Sequence, residues 1–217
     1  MIITVASYKG GVGKTTTAVH LAAYLETLAP TLLLDGDQTR NATAWAQRGD
    51  GFPFRVATID QAAKLARSYN HIVIDTGQRP SGDDLKAAAE GCDLLVVPTV
   101  PAALETDGLG QTIRALQGID AAFRVLLTSV PAYAAKESAE LRALLAAARA
   151  PVFAQEIPRL EAFKKAAAAG CIVDKAEDRN AARAWAAYVA VGGELRSVLD
   201  AARERSKDSD QRMEAHA

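Results

Sequence analysis

Short runs of continuous apolar residues alternate along the chain with longer stretches in which apolar residues recur every three or four positions. Ile2 to Ala6, Thr31 to Asp35, His71 to Asp75, Cys92 to Pro98 and Arg124 to Val130 are runs of the first kind, each bounded by polar or turn residues. Strands covered on both faces read this way, so a parallel sheet is expected. Thr15 to Leu28, Ile59 to Tyr69, Asp83 to Glu90, Leu104 to Gln117 and Lys136 to Ala148 read as helices, rich in alanine and leucine. The alternation predicts an α/β fold with a doubly wound, mostly parallel sheet flanked by helices. Beyond Pro151 the pattern predicts a short strand (Val152 to Ala154), a helix near Leu160 to Ala169, a second short strand (Cys171 to Val173) and a long helix from about Arg179 to Arg203. One domain over residues 1–205 and an unstructured polar tail over 206–217 are expected.

A 217-residue chain that is 49% hydrophobic and 24% charged suits one packed domain. Its formal net charge of −1 excludes a protein that coats nucleic acid through bulk positive charge, so DNA binding would need a local patch. Two cysteines, Cys92 and Cys171, are too few for a disulfide framework and form no metal-binding spacing. The first residues lack the basic-then-apolar order of a signal peptide, and no apolar run is long enough to span a membrane. A cytoplasmic location is expected.

The stretch SYKGGVGKTT joins the first strand to the first helix. Successive backbone N–H groups in such a loop point at a polyphosphate, and a helix N-terminus adds partial positive charge. Gly10, Gly11 and Gly13 give the backbone its freedom; Lys14 would reach the β- and γ-phosphates, Thr15 would bind Mg²⁺, and Thr16 would donate to the α-phosphate. The general pattern places glycine where Tyr8 stands, and a second lysine, Lys9, follows it.

KGGVGKTT resembles the deviant Walker A motif of the ParA/MinD family of ATPases, in which the lysine matched by Lys9 is called the signature lysine. The resemblance implies that residues 9–16 (Lys9, Gly10, Gly11, Val12, Gly13, Lys14, Thr15, Thr16) hold ATP, and that two subunits sandwich two ATP molecules. It further implies that Lys9 reaches the partner's phosphates, acting in trans as an arginine finger does elsewhere. LLLDGDQTRNAT resembles the family's switch I, which assigns Asp37 to positioning the attacking water and to the metal. Gln38-Thr39 stand where the family has Pro-Gln. Asp35 is either part of this site or a carboxylate that caps the region Asn41 to Gln47 or binds loop amides. HIVIDTGQRPS resembles the segment whose aspartate, here Asp75, holds Mg²⁺ through water, with Thr76 to Pro80 as switch II and Arg79 facing the γ-phosphate or the other subunit. The family's asparagine near the adenine is replaced by Thr128 and Ser129, which leaves base contacts to the backbone near Pro131 and Pro158.

The likeness extends over about residues 1–200 and implies a DNA-segregation or cargo-positioning ATPase. In that reading an ATP-bound homodimer binds nucleoid DNA without sequence preference, and a ParB-like or cargo-adaptor protein releases it by stimulating hydrolysis. Lys164, Lys165, Arg179 and Arg183 are the candidate DNA contacts, although residues 151–217 carry 11 basic and 11 acidic side chains. The first strand starts at residue 2, so no operator-binding helix-turn-helix is expected, and the polar C-terminus lacks the amphipathic pattern of a membrane anchor. The alternative is a metabolic ligase of the dethiobiotin synthetase type, which needs a substrate pocket of its own. A nitrogenase-type reductase would need cysteines in glycine loops, which Cys92 and Cys171 are not.

Overall fold

The computed structural model describes residues 1–7, 9–77, 82–101, 110, 113, 114, 116 and 122–214, with side chains for all but 82 and 205–214. Six strands, β1 (Ile2–Val5), β2 (Thr31–Gly36), β3 (Arg55–Thr58), β4 (His71–Thr76), β5 (Leu94–Thr99) and β6 (Phe123–Leu127), form one sheet in the order β3-β2-β4-β1-β5-β6. Every neighbouring pair is parallel. Helices flank the sheet, among them α1 (Lys14–Glu26), α2 (Asn41–Ala46), α3 (Ala62–Leu65), α4 (Gly82–Glu90), α5 (Ala135–Ala147), α6 (Glu161–Ala169) and α7 (Ala181–Glu214).

Alternation along the strands divides the core. Ile3, Val5, Leu33, Val73, Leu94, Val96 and Leu126 join α1, α6 and α7 on one face. On the other face Leu95, Val97, Val125 and Leu127 pack with residues of α4 and α5, while Leu32 and Leu34 lie under α3. Helix α1 is buried nearly all round, because the sheet covers one side and α7 the other. At the α1–α7 crossing a Cβ on Gly192 would overlap the Tyr24 ring, so only glycine lets the two helices approach this closely.

The five long apolar runs are strands as expected. The edge strand β3 has no apolar run to announce it: Arg55 is exposed and Ala57 alone is buried. Where the pattern predicts one helix over 59–69, the chain makes a 3-10 turn, one turn of α3 and a second 3-10 turn, and none of these buries a residue. Val152 makes a single bridge to Val125. The strand expected at 171–173 is absent, because side chains take its backbone groups: Trp45 Nε1 donates to the Cys171 carbonyl and the Val173 N–H donates to His20 Nε2. Helix α7 continues to Glu214 through part of the segment expected to be unstructured, since residues 202–214 contain neither glycine nor proline to stop it. The helix expected at 104–117 falls largely outside the described residues.

His20 links α1 to the C-terminal third. Its ring stacks on Tyr188 at 4.7 Å and meets Trp45 and Phe163 edge-on at 5.7 and 5.5 Å. Since Val173 N–H donates to Nε2 (3.2 Å), the proton sits on Nδ1, which donates to the Thr16 carbonyl at 2.7 Å. Complete burial pushes the imidazole down to about 4, so it is neutral in the folded state. The unfolded chain binds the extra proton, so this contribution to stability is full above about pH 6.5 and is lost as pH falls toward 4. Urea unfolding at pH 7 and pH 4.5 is expected to show the stability difference between wild type and His20→Gln shrinking by about 2–3 kcal/mol at the lower pH. A pH-independent difference would refute the neutral buried imidazole.

Candidate active site

Three strand ends meet where β1 gives way to the glycine loop. Val5 and Asp35 both stand in register with Asp75 on β4, and the Thr76 hydroxyl donates to the Val5 carbonyl at 2.9 Å. Ligands bind at this carboxyl edge of doubly wound sheets. The loop ends at Gly13, whose φ of 85° is left-handed and which serves as N-cap of α1 without a side-chain cap. Gly11 is also left-handed, at φ 74°. The first amides of α1 are thus left free to point at an anion.

Lys14 is only 6% exposed. Burial lowers its pKa, and the carboxylates of Asp75 and Asp37 pull it back up. Asp75 is fully buried, and neither of its oxygens has a hydrogen-bond partner among the described residues. Burial raises its carboxyl to about 7; Thr15 nearby acts in the opposite direction without reaching bonding geometry, and the neighbouring Asp35 raises it further. A buried carboxylate left without donors costs free energy, and a cation bound beside it removes that cost.

The aspartates at 35 and 37 have different surroundings. Asp35, fully buried, accepts from the Asp37 N–H (3.2 Å) and from both the N–H (2.9 Å) and the hydroxyl (2.7 Å) of Thr43, so it organises the loop and the start of α2. Arg40 completes the turn in the left-handed region at φ 52°, its guanidinium donating to the Asp35 carbonyl. Asp37 lies on the wall of a cleft of about 380 Å³ together with Gly11, Gly13, Lys14, Thr15 and Thr16. Asn41, Trp45 and Arg48 of the α2 region and Ala167 of α6 form its far side.

Five of the eight expected loop residues, Gly11, Gly13, Lys14, Thr15 and Thr16, thus line the cleft with Asp37, and Lys14 and Thr15 also lie near Asp75. Lys9 is partly exposed and makes no ion pair among the described residues. Tyr8 and Gln78 to Ser81, with Arg79, lie outside the described residues. Thr128 is committed elsewhere: its hydroxyl lies 2.7 Å from the Val12 carbonyl and 2.9 Å from that of Thr99, so it braces the glycine loop against β5 and β6. Its role was not legible from the pattern. Arg48, which donates to the Ala167 carbonyl at 2.9 Å, was also missed, because α6 comes against α2 only in the folded chain. The candidate DNA contacts gather around the start of α6 and the approach to α7. Lys164 pairs with Glu161 (3.1 Å), Lys165 pairs with Asp178 (3.0 Å), and Arg179 and Arg183 are exposed.

The sequence model for the CobQ/CobB/MinD/ParA nucleotide binding domain matches residues 3–172. Maintenance of carboxysome distribution protein A from Gloeobacter kilaueensis is 35% identical over 201 residues, 89% of this chain and 93% of that protein. Among solved structures, MinD from Pyrococcus horikoshii in complex with Mg-ADP is 18% identical, with a TM-score of 0.69 over 89% of this chain and 95% of its own. Apo McdA from Cyanothece is 16% identical, with a TM-score of 0.68 over 86% and 97%. At these identities the two structures speak for the fold alone. With the family model covering most of its length, the chain belongs to the CobQ/CobB/MinD/ParA nucleotide-binding domain family.

Proposed function

We propose that this protein is a ParA-type ATPase that positions a cargo by cycling between an ATP-bound homodimer on nucleoid DNA and a released form. The observation that carries this reading is one loop with two lysines in different environments. Lys14 is buried within the electrostatic reach of Asp75 and Asp37, while Lys9 stays partly exposed. Lys14 neutralises charge on the bound triphosphate, and the amides of residues 10–16 hold it in place. Lys9 remains available to the phosphates of a second subunit, so pairing depends on which nucleotide is bound. The likeness to a carboxysome-distribution protein supports a protein assembly as the cargo, with a partner protein that stimulates hydrolysis.

The site fits Mg²⁺ accompanying the nucleotide. Among the described residues no three His, Cys, Asp or Glu side chains form a metal cage, which suits an ion that keeps waters and phosphate oxygens as ligands. Thr15, Asp37 and, through water, Asp75 would hold it, and the two oxygens of Asp75, unpartnered among the described residues, are the feature that calls for it. Bound there, the ion supplies neutralisation of phosphate charge. Asp37 orients the water that attacks the γ-phosphate. Lys164, Lys165, Arg179 and Arg183 supply the DNA surface: exposed ion pairs such as Lys164–Glu161 are worth about 0–1 kcal/mol, so exchanging them for DNA phosphates costs little. DNA binding should then fall steeply with salt.

Sedimentation and DNA binding measured with ATP, ADP and a non-hydrolysable analogue test this reading. Lys14→Ala is expected to lose every nucleotide-dependent behaviour, Lys9→Ala to bind nucleotide without forming the active dimer, and Asp37→Ala to persist as an ATP-bound dimer on DNA. Monomers indifferent to nucleotide in all four proteins would remove it.

Asp75 gives a separate, pH-dependent expectation. Its folded-state pKa of about 7 lies above the unfolded value, so its contribution to stability is full below about pH 4 and is lost as pH rises through 7. Without nucleotide, Asp75→Asn should gain on wild type by roughly 3 kcal/mol between pH 4 and pH 8 in chemical unfolding. Mg²⁺ with ATP should raise the melting temperature of the wild type and not of the variant. A pH-independent gap would contradict the buried carboxyl.

A further inference from the structure

The two oxygens of Asp37 have unequal surroundings. Oδ1 accepts twice from one residue, from the Thr39 N–H at 2.9 Å and from the Thr39 hydroxyl at 2.8 Å. Asn41 Nδ2 in turn donates to that same hydroxyl oxygen at 2.8 Å. A hydroxyl has a single proton; with Asn41 donating to its oxygen, that proton points along the one remaining bond, to Asp37. None of the described residues donates to Oδ2. Both Asp37 and Asn41 line the cleft that contains Lys14 and Thr15.

We infer that Thr39, oriented by Asn41, is a positioning residue for ATP hydrolysis, clamping one oxygen of Asp37 so that the other is presented to the attacking water. This rests on the reading of Asp37 as the group that orients that water. The terminal torsion of aspartate is soft and broad, and one backbone amide leaves the carboxylate free to pivot about a single bond. A second donor fixes the carboxylate plane. The chain departs from the resembling pattern at this point, with Gln38-Thr39 in place of Pro-Gln, and a hydroxyl two residues after an aspartate is the length that closes such a bond locally. Asp35 sets the backbone beneath it through the Asp37 N–H, so the loop has one aspartate held for structure and one held for chemistry.

The rival account is that Thr39 only caps a turn. Single-turnover hydrolysis at saturating ATP with Mg²⁺, nucleotide affinity from a fluorescent ATP analogue, and thermal melting separate the two for Thr39→Ala, Thr39→Ser, Asp37→Ala and the double variant Asp37→Ala/Thr39→Ala. Thr39→Ala is expected to slow hydrolysis about tenfold while nucleotide affinity stays within about twofold, because misplacing a reacting group lowers the rate without weakening binding. Thr39→Ser, which keeps the hydroxyl, is expected to restore the rate to within about twofold, and the double variant to be no slower than Asp37→Ala, since residues acting as a unit are not additive. If Asp37→Ala abolishes hydrolysis while Thr39→Ala leaves it intact, the inference falls and the reading of Asp37 stands. If Asp37→Ala leaves hydrolysis intact, both fall. Parallel losses of rate, affinity and melting temperature in Thr39→Ala, or a failure of Thr39→Ser to rescue, would reduce Thr39 to a structural cap and overturn the inference.

Discussion

A carboxylate enclosed by protein and given no hydrogen bond is the constraint around which this molecule is arranged. Asp75 could be relieved in three ways: by a proton, by a donor, or by a cation. None of the described residues donates to it, and the buried ammonium of Lys14 and the hydroxyl of Thr15 lie nearby without bonding to it. What remains is a carboxyl whose ionisation costs more stability as pH rises through 7. Free energy withheld from the empty protein is recovered when a ligand with the right charges arrives.

The sheet makes that arrangement possible. Parallel pairing in the order β3-β2-β4-β1-β5-β6 puts the β2 and β4 ends in register, so Asp35 and Asp75 lie side by side while the glycine loop leaves β1 next to them. Two buried carboxylates in adjacent strands repel, and only one of them has donors among the described residues. Three donors hold Asp35, and it in turn holds the turn after β2. The asymmetry between a satisfied aspartate and an unsatisfied one is what separates scaffold from site here.

Helix α1 joins the site to the rest of the fold. It begins at the loop, passes between the sheet and α7, and at Thr16 offers a carbonyl to His20, whose other nitrogen accepts from Val173. Tyr188 stacks on the same ring and meets Thr17 through its hydroxyl at 3.2 Å. The first turn of α1 is thus bonded to the C-terminal third, where α6 also borders the cleft through Ala167. The exposed lysines of α6 lie one element away from the phosphate loop.

Continuous apolar runs announced five of the six strands, because a strand covered on both faces has no polar alternation to blur it. The glycine loop, its two lysines and the aspartates at 37 and 75 stood out by residue type and by their place at strand ends, and the fold brings them to one edge of the sheet. Position alone left Asp35 open between two roles; only the bonds from Thr43 and Asp37 assign it to structure. Strand β3 was invisible because an edge strand buries little, and the segment at 171–173 read as a strand until His20 and Trp45, distant in sequence, took its backbone partners. Thr128, Arg48 and Thr39 were silent for the same reason. The chain by itself determines what each short segment prefers, while the choice of partner for every polar atom waits on which segments the fold brings together.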